Sequence, residues 1–453
     1  MAEREGSAGR NFRGSWLGLP QRQLQRILGY GAARALVELL LGGRGVALAA
    51  LLGPVAYGTW SLLRVSQHYL VIVGLGTARG LEVEASAHRD RVDGRLSPTA
   101  EHFAAAGNGF LVLSYGAFSA LAAAAAFLAP DPVWRTILAG LAAATVVERA
   151  FMQGATFLRA QGTVPEFAAI ELAHAVLQLV LTLGLAMLWG LPGAILGLAL
   201  AYAGGLAMMR GRVPMRIGWS WPAIRNLIRI GLPVTLASLM QTLVGSLDRL
   251  IVAAVLGVEA LGQYAFAVSV ASIGAAAGLV VRTAVFPDVF HAARHGAPSA
   301  WVKDLERLLL GMAWVLSLVL IGPALAIAPL VASLVPDYAP AIGPARIFIF
   351  GGVANSLMMV GMLGNVAADR QRQVPFLTAA ALAVGLLLAW AVLRLGLGLE
   401  GLAAASLATR LAYALGLVAL GRPRPSWRRE LRLAAGLALP VLAACGFVYL
   451  VAP

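Results

Sequence analysis

The chain has 453 residues, 60% of them hydrophobic and 12% charged, with a mean hydropathy of +0.80. A soluble protein of this length would need far more polar surface, and the apolar stretches repeatedly exceed the roughly 18–20 residues that cross a ~30 Å hydrocarbon layer. The net charge of +14 does not point to nucleic acid, because the arginines are spread over short connections between apolar runs and not gathered in one basic domain.

From the N-terminus, residues 1–26 read as an amphipathic basic tail carrying Arg4, Arg10, Arg13, Arg22 and Arg26. Thirteen spans follow, near 27–52, 54–81, 103–129, 133–157, 165–189, 191–210, 227–256, 260–286, 304–328, 341–366, 374–395, 400–420 and 432–451. Helix is the only reading for them, since an isolated strand in lipid leaves its backbone groups unsatisfied. The first span is too long, and too interrupted by Arg34, Glu38 and Arg44, for a cleaved signal peptide, so it is expected to be retained. The last span contains Pro440 and has no partner after it. A single cysteine, Cys445, rules out an internal disulfide and a thiolate metal cluster.

Sorting the connections alternately separates the charge. One set holds the tail, Arg89/Arg91/Arg95, Arg159, Arg210/Arg212/Arg216, Arg294/Lys303, Arg370/Arg372 and Arg422/Arg424/Arg428/Arg429. The other set, at 53, 130–132, 190, 257–259, 329–340 and 396–399, contains no Lys or Arg, with Arg135 and Arg394 at its edges. Basic loops stay cytoplasmic, so the N-terminus is expected inside and Pro453 outside. The external connections are too short for a folded domain, which leaves function among the helices.

Three segments recur in order. Leu52-Gly53-Pro54-Val55-Ala56-Tyr57-Gly58 matches Leu256-Gly257-Val258-Glu259-Ala260-Leu261-Gly262 at an offset of 204. Gln161-Gly162-Thr163-Val164-Pro165 matches Gln371-Arg372-Gln373-Val374-Pro375 at 210, and Gly190-Leu191-Pro192-Gly193 matches Gly398-Leu399-Glu400-Gly401 at 208. A near-constant offset marks a duplicated unit. Six spans per unit is an even number, so both units start on the same side and the repeat is parallel. The expected fold is therefore an all-α polytopic membrane protein. It comprises two six-helix bundles, 27–210 and 227–420, a cytoplasmic linker at 211–226, and a basic loop with one extra span at 421–453. Transporters of this design hold substrate near the midplane between the halves and rock around it.

The same segments resemble the polysaccharide biosynthesis and export family, the oligosaccharidyl-lipid flippases of the multidrug/oligosaccharidyl-lipid/polysaccharide superfamily. The likeness covers roughly residues 25–420. It rests on Leu52-Gly53-Pro54-Val55-Ala56-Tyr57-Gly58-Thr59-Trp60, Gly231-Leu232-Pro233, Leu247-Asp248-Arg249-Leu250-Ile251-Val252 and Gly262-Gln263-Tyr264. Phe286-Pro287, Pro336-Asp337-Tyr338-Ala339-Pro340-Ala341 and Gly398-Leu399-Glu400-Gly401-Leu402-Ala403-Ala404 extend it. The resemblance implies a V of two bundles in a bacterial inner membrane, with a central cationic cavity that receives a lipid diphosphate. It implies as partners a lipid-linked oligosaccharide and polysaccharide polymerases or glycosyltransferases. The chain departs from many relatives in having thirteen spans, not twelve or fourteen, and no lysine in any span.

A charge at the bilayer centre costs at least ~2.5–3.5 kcal/mol on insertion scales and normally faces a cavity or a partner. At ~1.5 Å per residue, Arg44 lies about 12 Å and Arg64 about 15 Å from the outer boundary. Arg forms forked bonds to phosphate oxygens, so Arg34, Arg44 and Arg64 are the candidate diphosphate ligands. Arg34 and Glu38, like Arg64 and His68, are spaced i,i+4 on one helix face; Arg34 would alternatively just neutralise Glu38. At the repeat offset of 204, Arg44 corresponds to Asp248, which suggests a gate closed by that pair; Arg249 is the competing partner. Glu38, His68 and Asp248, with Glu148, Glu171 and His174, are candidate sites for a coupling H+ or Na+. Arg79 and Arg282 stand near span ends and can snorkel.

No nucleotide-binding loop and no HExxH spacing occurs, so neither ATP coupling, an enzyme nor a cofactor is expected. The first functional reading is inner-to-outer translocation of a lipid-linked oligosaccharide. A cation-coupled multidrug exporter of the same fold is the second, and would be expected to carry acid-dominated spans. A membrane polysaccharide polymerase or glycosyltransferase is the third, and usually needs a large external loop.

Overall fold

The computed structural model describes residues 21–88, 97–162, 164–272, 298–421 and 427–452. Arg4, Arg10, Arg13, Arg89, Arg91, Arg95, Arg282, Phe286-Pro287, Arg294, Arg422, Arg424 and Pro453 lie outside the described residues. Every regular element among the described residues is helical. These are α1 (Gln21–Tyr69), α2 (Thr77–Ala87), α3 (Pro98–Leu128), α4 (Pro132–Gln161), α5 (Val164–Met208) and α6 (Trp221–Val255). They continue as α7 (257–272), α8 (Pro298–Leu334), α9 (Ile342–Ala367), α10 (Val374–Arg394), α11 (Gly398–Leu420) and α12 (Trp427–Val451).

Two of these runs are too long for one crossing. α1 turns at Gly53 (φ 70°) and α5 at Trp189 and Gly190 (φ 60°). Glycine enters the left-handed region without a Cβ penalty, and a proline close behind (Pro54, Pro192) lacks the N–H that would continue the first helix and has φ preset for the next. The α6–α7 corner also turns at a glycine, Gly257 (φ 88°), here without a proline behind it. With α1 and α5 each counted as two, and α2 joined to the second half of α1 as one crossing, the described helices make thirteen spans. α4 buries Glu148 and carries Arg149 beside it, with Arg135 and Arg159 towards its ends.

The spans form two parallel six-helix bundles plus a final helix. The N-terminal bundle packs around Leu48, Leu63, Ile137, Leu158, Leu198 and Tyr202, and the C-terminal bundle around Leu309, Phe350, Leu357, Leu402 and Ala414. Phe127 (88% exposed) and Leu450 (84%) stand outward, as expected where lipid tails are the solvent. α12 is a packed span, not a loose end. Leu433, Leu437, Val441, Ala444 and Val448 are buried along one stripe. Arg429 Nη2 reaches Glu306 at 2.9 Å at one end, and Tyr449 O–H donates to Glu400 and to the Gly343 carbonyl (3.2 Å) at the other.

One span differs from expectation. The second crossing, read as unbroken over 54–81, leaves the α-helix at Tyr69 for a 3-10 turn over Leu70–Gly74. Leu75 (φ 46°) and Gly76 (φ 82°) are left-handed before α2 resumes the crossing. Broken backbone at this depth persists only where its polar groups are satisfied again. The Tyr115 hydroxyl accepts from Gly74 N (3.2 Å) and Thr77 Oγ1 donates to Gly74 O (2.9 Å).

The halves meet through small residues. A Cβ at Gly76 or Gly80 of the second span would collide with the backbone of Gly231 or Leu227 in α6. At the other end, Gly58 and Gly262 lie equally close to the backbones of Val258 and Pro54. Such contacts let helices approach closely in lipid, where apolar burial supplies no drive to associate. Polar bonds tie the same seam: Asn226 Nδ2 to Glu84 Oε1 (2.7 Å), Tyr69 to Ser246 (2.7 Å), Tyr57 to Ser269 (2.7 Å), and Tyr338 O–H to Ala49 O (3.0 Å).

Candidate functional site: the buried charges of the two bundles

The interior of the N-terminal bundle is polar where three helices converge. Arg64, on the second span, donates to Gln67 Oε1 (2.6 Å), to Glu148 Oε1 on α4 (3.4 Å) and to the Tyr202 hydroxyl on α5 (3.3 Å). Tyr202 in turn donates to Glu148 Oε1 at 3.1 Å. Glu148 and Gln67 are buried, while the Arg64 side chain keeps 19% of its surface accessible. Arg149 turns the other way, donating to the Gln67 carbonyl and lying 5.9 Å from the Tyr115 ring.

Arg44 sits one layer away and is buried. It donates to Gln178 Oε1, and its guanidinium stands 5.9 Å from the Trp60 ring. Gln178 passes the chain of bonds to His174 Nε2 (2.7 Å), and His174 Nδ1 bonds the Ala201 carbonyl (3.1 Å) while stacking on Phe151. Neutral partners thus hold Arg44. Its Nε finds no acceptor.

Arg34 is shared by two carboxylates: Glu38 on its own helix at 2.5 Å, and Glu171 on α5. The i,i+4 pair is therefore present and has a third member. His68 is exposed, with Nδ1 against the Arg64 carbonyl at 2.6 Å. Its helix neighbour Tyr69 bonds Ser246 of α6, which places His68 beside the seam between the halves.

In the C-terminal bundle Asp248 is buried and fully engaged. Its Oδ2 accepts from Ser406 Oγ (2.7 Å) and Tyr264 O–H (3.0 Å) and lies 3.5 Å from Arg410 Nη2; Oδ1 accepts from Arg249 N (2.8 Å). Arg410 also donates to the Gly245 carbonyl (3.1 Å). Asp248 and Arg44 are not paired in this structure: each is held by partners inside its own bundle. The side chain of Arg249 bonds the Gly245 carbonyl (3.0 Å) and does not pair with Asp248.

The structure thus joins Arg64 to Glu148 and Arg34 to Glu38 and Glu171; the Arg44 and Arg64 networks adjoin where His174 packs against Tyr202 (ring centroids 4.9 Å), without a direct bond between the two arginines. Tyr202, Gln178 and Arg410 were not foreseen. Arg410 carried a usable signal, since it falls opposite Tyr202 at the repeat offset of 208. At that register a neutral phenol of one bundle is replaced by a cation in the other, facing an aspartate where the first bundle has Arg44.

The all-helical, duplicated architecture with ionic interiors is the fold of solved transporters of the MOP superfamily. A multidrug resistance MATE family transporter of that superfamily in an inward-facing conformation superposes with a TM-score of 0.63 at 16% identity, over 92% of this chain and 96% of the other. A MOP superfamily transporter from Pyrococcus furiosus, described as having a binding pocket of reverse polarity, gives 0.54 at 18%, over 92% and 99%. A Vibrio cholerae MATE transporter in the bent form gives 0.57 at 17%, over 92% and 98%. These likenesses establish the fold. No curated protein sequence matches the chain. The family model described as polysaccharide biosynthesis protein matches residues 47–292, more than half of the chain, and the protein belongs to that family.

Proposed function

We propose that the protein translocates a lipid-linked oligosaccharide, carried on a polyprenyl diphosphate, from the inner to the outer leaflet of a bacterial inner membrane by alternating access. Membership of the polysaccharide biosynthesis family carries this reading. The ionic character of the interior supports it: the membrane-level cations Arg34, Arg44, Arg64, Arg149, Arg249 and Arg410 outnumber the carboxylates Glu38, Glu148, Glu171 and Asp248 that accompany them. A diphosphate needs several such donors. In this scheme the accessible faces of Arg34 and Arg64 meet the phosphates, and Arg44 adds positive potential from behind. The N-terminus lies in the cytoplasm. Polymerases or glycosyltransferases act on either side of the translocation step.

Energy comes from H+ or Na+ entry. Two carboxylates, Glu38 and Glu171, converge on Arg34, and a proton or sodium ion there offsets the surplus negative charge; His68 and Asp248 are the other candidates for linking ion movement to rocking. The second reading, cation-coupled multidrug export, is supported by the likeness to MATE transporters. One experiment separates them. A deletion strain should accumulate polyprenyl-diphosphate-linked oligosaccharide on the inner leaflet, and glycan analysis would identify it. Normal lipid-linked intermediates together with raised sensitivity to several unrelated drugs would favour multidrug export instead.

A further inference from the structure

The connection between the halves is not a slack loop. Beyond Met208 the chain tightens over Met209–Val213 and then runs extended along α3 to Ser220. Asn108 holds it from below, its Nδ2 donating to the carbonyls of Pro214 (2.9 Å) and Arg216 (3.0 Å). Asn108 is itself fixed by Gln153 Nε2 on Oδ1 (2.7 Å), and Gly218 N donates to the Ala105 carbonyl (3.0 Å). Gly218 packs so tightly on Gly109 that a Cβ on Gly109 would meet the Gly218 carbonyl.

Beneath this strap lies a cavity of about 190 Å³, lined by Leu81, Leu111, Ala150, Phe157, Leu206 and Ile217 among others, with Asn108 and Gln153 its main polar members. It extends from the strap between α3, α4 and the end of α5, with half-exposed Val112 among its lining residues. The strap residues that close it are interleaved with cations: Arg210, Arg212 and Arg216 flank Val213, Pro214, Met215 and Ile217. Among the described residues no carboxylate pairs with these three arginines. No acidic residue occurs anywhere from 172 to 247. Trp219 and Trp221, both more than half exposed, follow directly, and indole rings of this kind settle at headgroup level.

We propose that this cavity is a phospholipid site, distinct from the transport pathway. It takes part of one acyl chain of an anionic phospholipid, with the phosphate against Arg210, Arg212 and Arg216. An apolar slot alone would accept any chain. The arginines interleaved with its strap residues, which no carboxylate among the described residues pairs, select an anionic headgroup, each contributing about as much as a basic residue near a charged leaflet. The strap leads without interruption into α6, whose first turns are welded to the N-terminal half at Gly231 and Asn226. A lipid seated here therefore braces the joint across which the two bundles are connected.

The test is native mass spectrometry of the intact, delipidated protein titrated with phosphatidylglycerol or phosphatidylcholine. The expected result is one phosphatidylglycerol retained with a clear preference over phosphatidylcholine. That preference should fall about five-fold for each of Arg210→Gln, Arg212→Gln and Arg216→Gln. Ala150→Phe, which fills the slot, should abolish the retained lipid. Val112→Trp, at the half-exposed lining position, provides a milder block should Ala150→Phe fail to fold. Equal retention of both lipids, or phosphatidylglycerol retained unchanged in the folded filling variants, would overturn the site. Displacement of phosphatidylglycerol by a polyprenyl diphosphate at equal concentration would also overturn it, by assigning the slot to transport substrate.

Discussion

Replacing Arg64 by leucine tests the ionic core of the N-terminal bundle. Arg64 is the cation within 3.4 Å of Glu148, which is buried. Its removal leaves that carboxylate with the Tyr202 hydroxyl, at 3.1 Å, as its remaining donor. Breaking a buried pair from one side costs about 3–5 kcal/mol, because the surviving charge is left without compensation. Spread over 453 residues at ~2.1 cal/mol/K each, the unfolding entropy is about 1 kcal/mol/K, so the melting temperature should fall by about 4 °C. In detergent the helices stay largely formed on denaturation, so the entropy is smaller and the shift larger. Scanning fluorimetry of Arg64→Leu, Glu148→Leu and the double variant would supply the cycle. The double variant should recover much of the loss, with a coupling energy above about 1 kcal/mol. If the two single losses simply add, the pair is not coupled and the account of this core is wrong.

Other expectations follow from the same geometry. Asp248→Arg should be rescued by Arg410→Asp and not by Arg44→Asp, read as protein yield and complementation of polysaccharide export; rescue by Arg44→Asp would restore the gate across the halves. Gly231→Ala should force apart backbones at the seam, costing about 1–3 kcal/mol as overpacking does; an unchanged melting temperature would show that the seam yields freely. Tyr449→Phe removes the hydroxyl that ties α12 to Glu400 and Gly343, and should lower stability by about 1–3 kcal/mol, whereas an unaffected melt would make this end of α12 dispensable.

The architecture was readable because its punctuation is chemical. Gly53-Pro54 and Gly190 with Pro192 stop one helix and start another, and basic residues fall in alternate connections. The break at 70–76 was not readable: Leu70-Val71-Ile72-Val73 is apolar throughout, and the hydroxyl that makes the break tolerable comes from Tyr115, a span away. Charges inside spans could be located but not partnered. Pairing Arg44 with Asp248 followed from symmetry alone, whereas Gln178 and Arg410 are selected by which helices pack together. Glu171 reaches Arg34 for the same reason, although i,i+4 spacing correctly supplied Glu38.

The glycine corners at 53, 190 and 257 join successive spans with almost no intervening chain, which leaves the Pro336–Ala341 turn as the longest connection on that face among the described residues. Under the proposed translocation, connections this short leave the sealing of that face mainly to whole helices leaning together. A protease or antibody applied to that face would find few peptide bonds to grip. Agents meant to jam the protein from that side would have to enter the gap between the bundles.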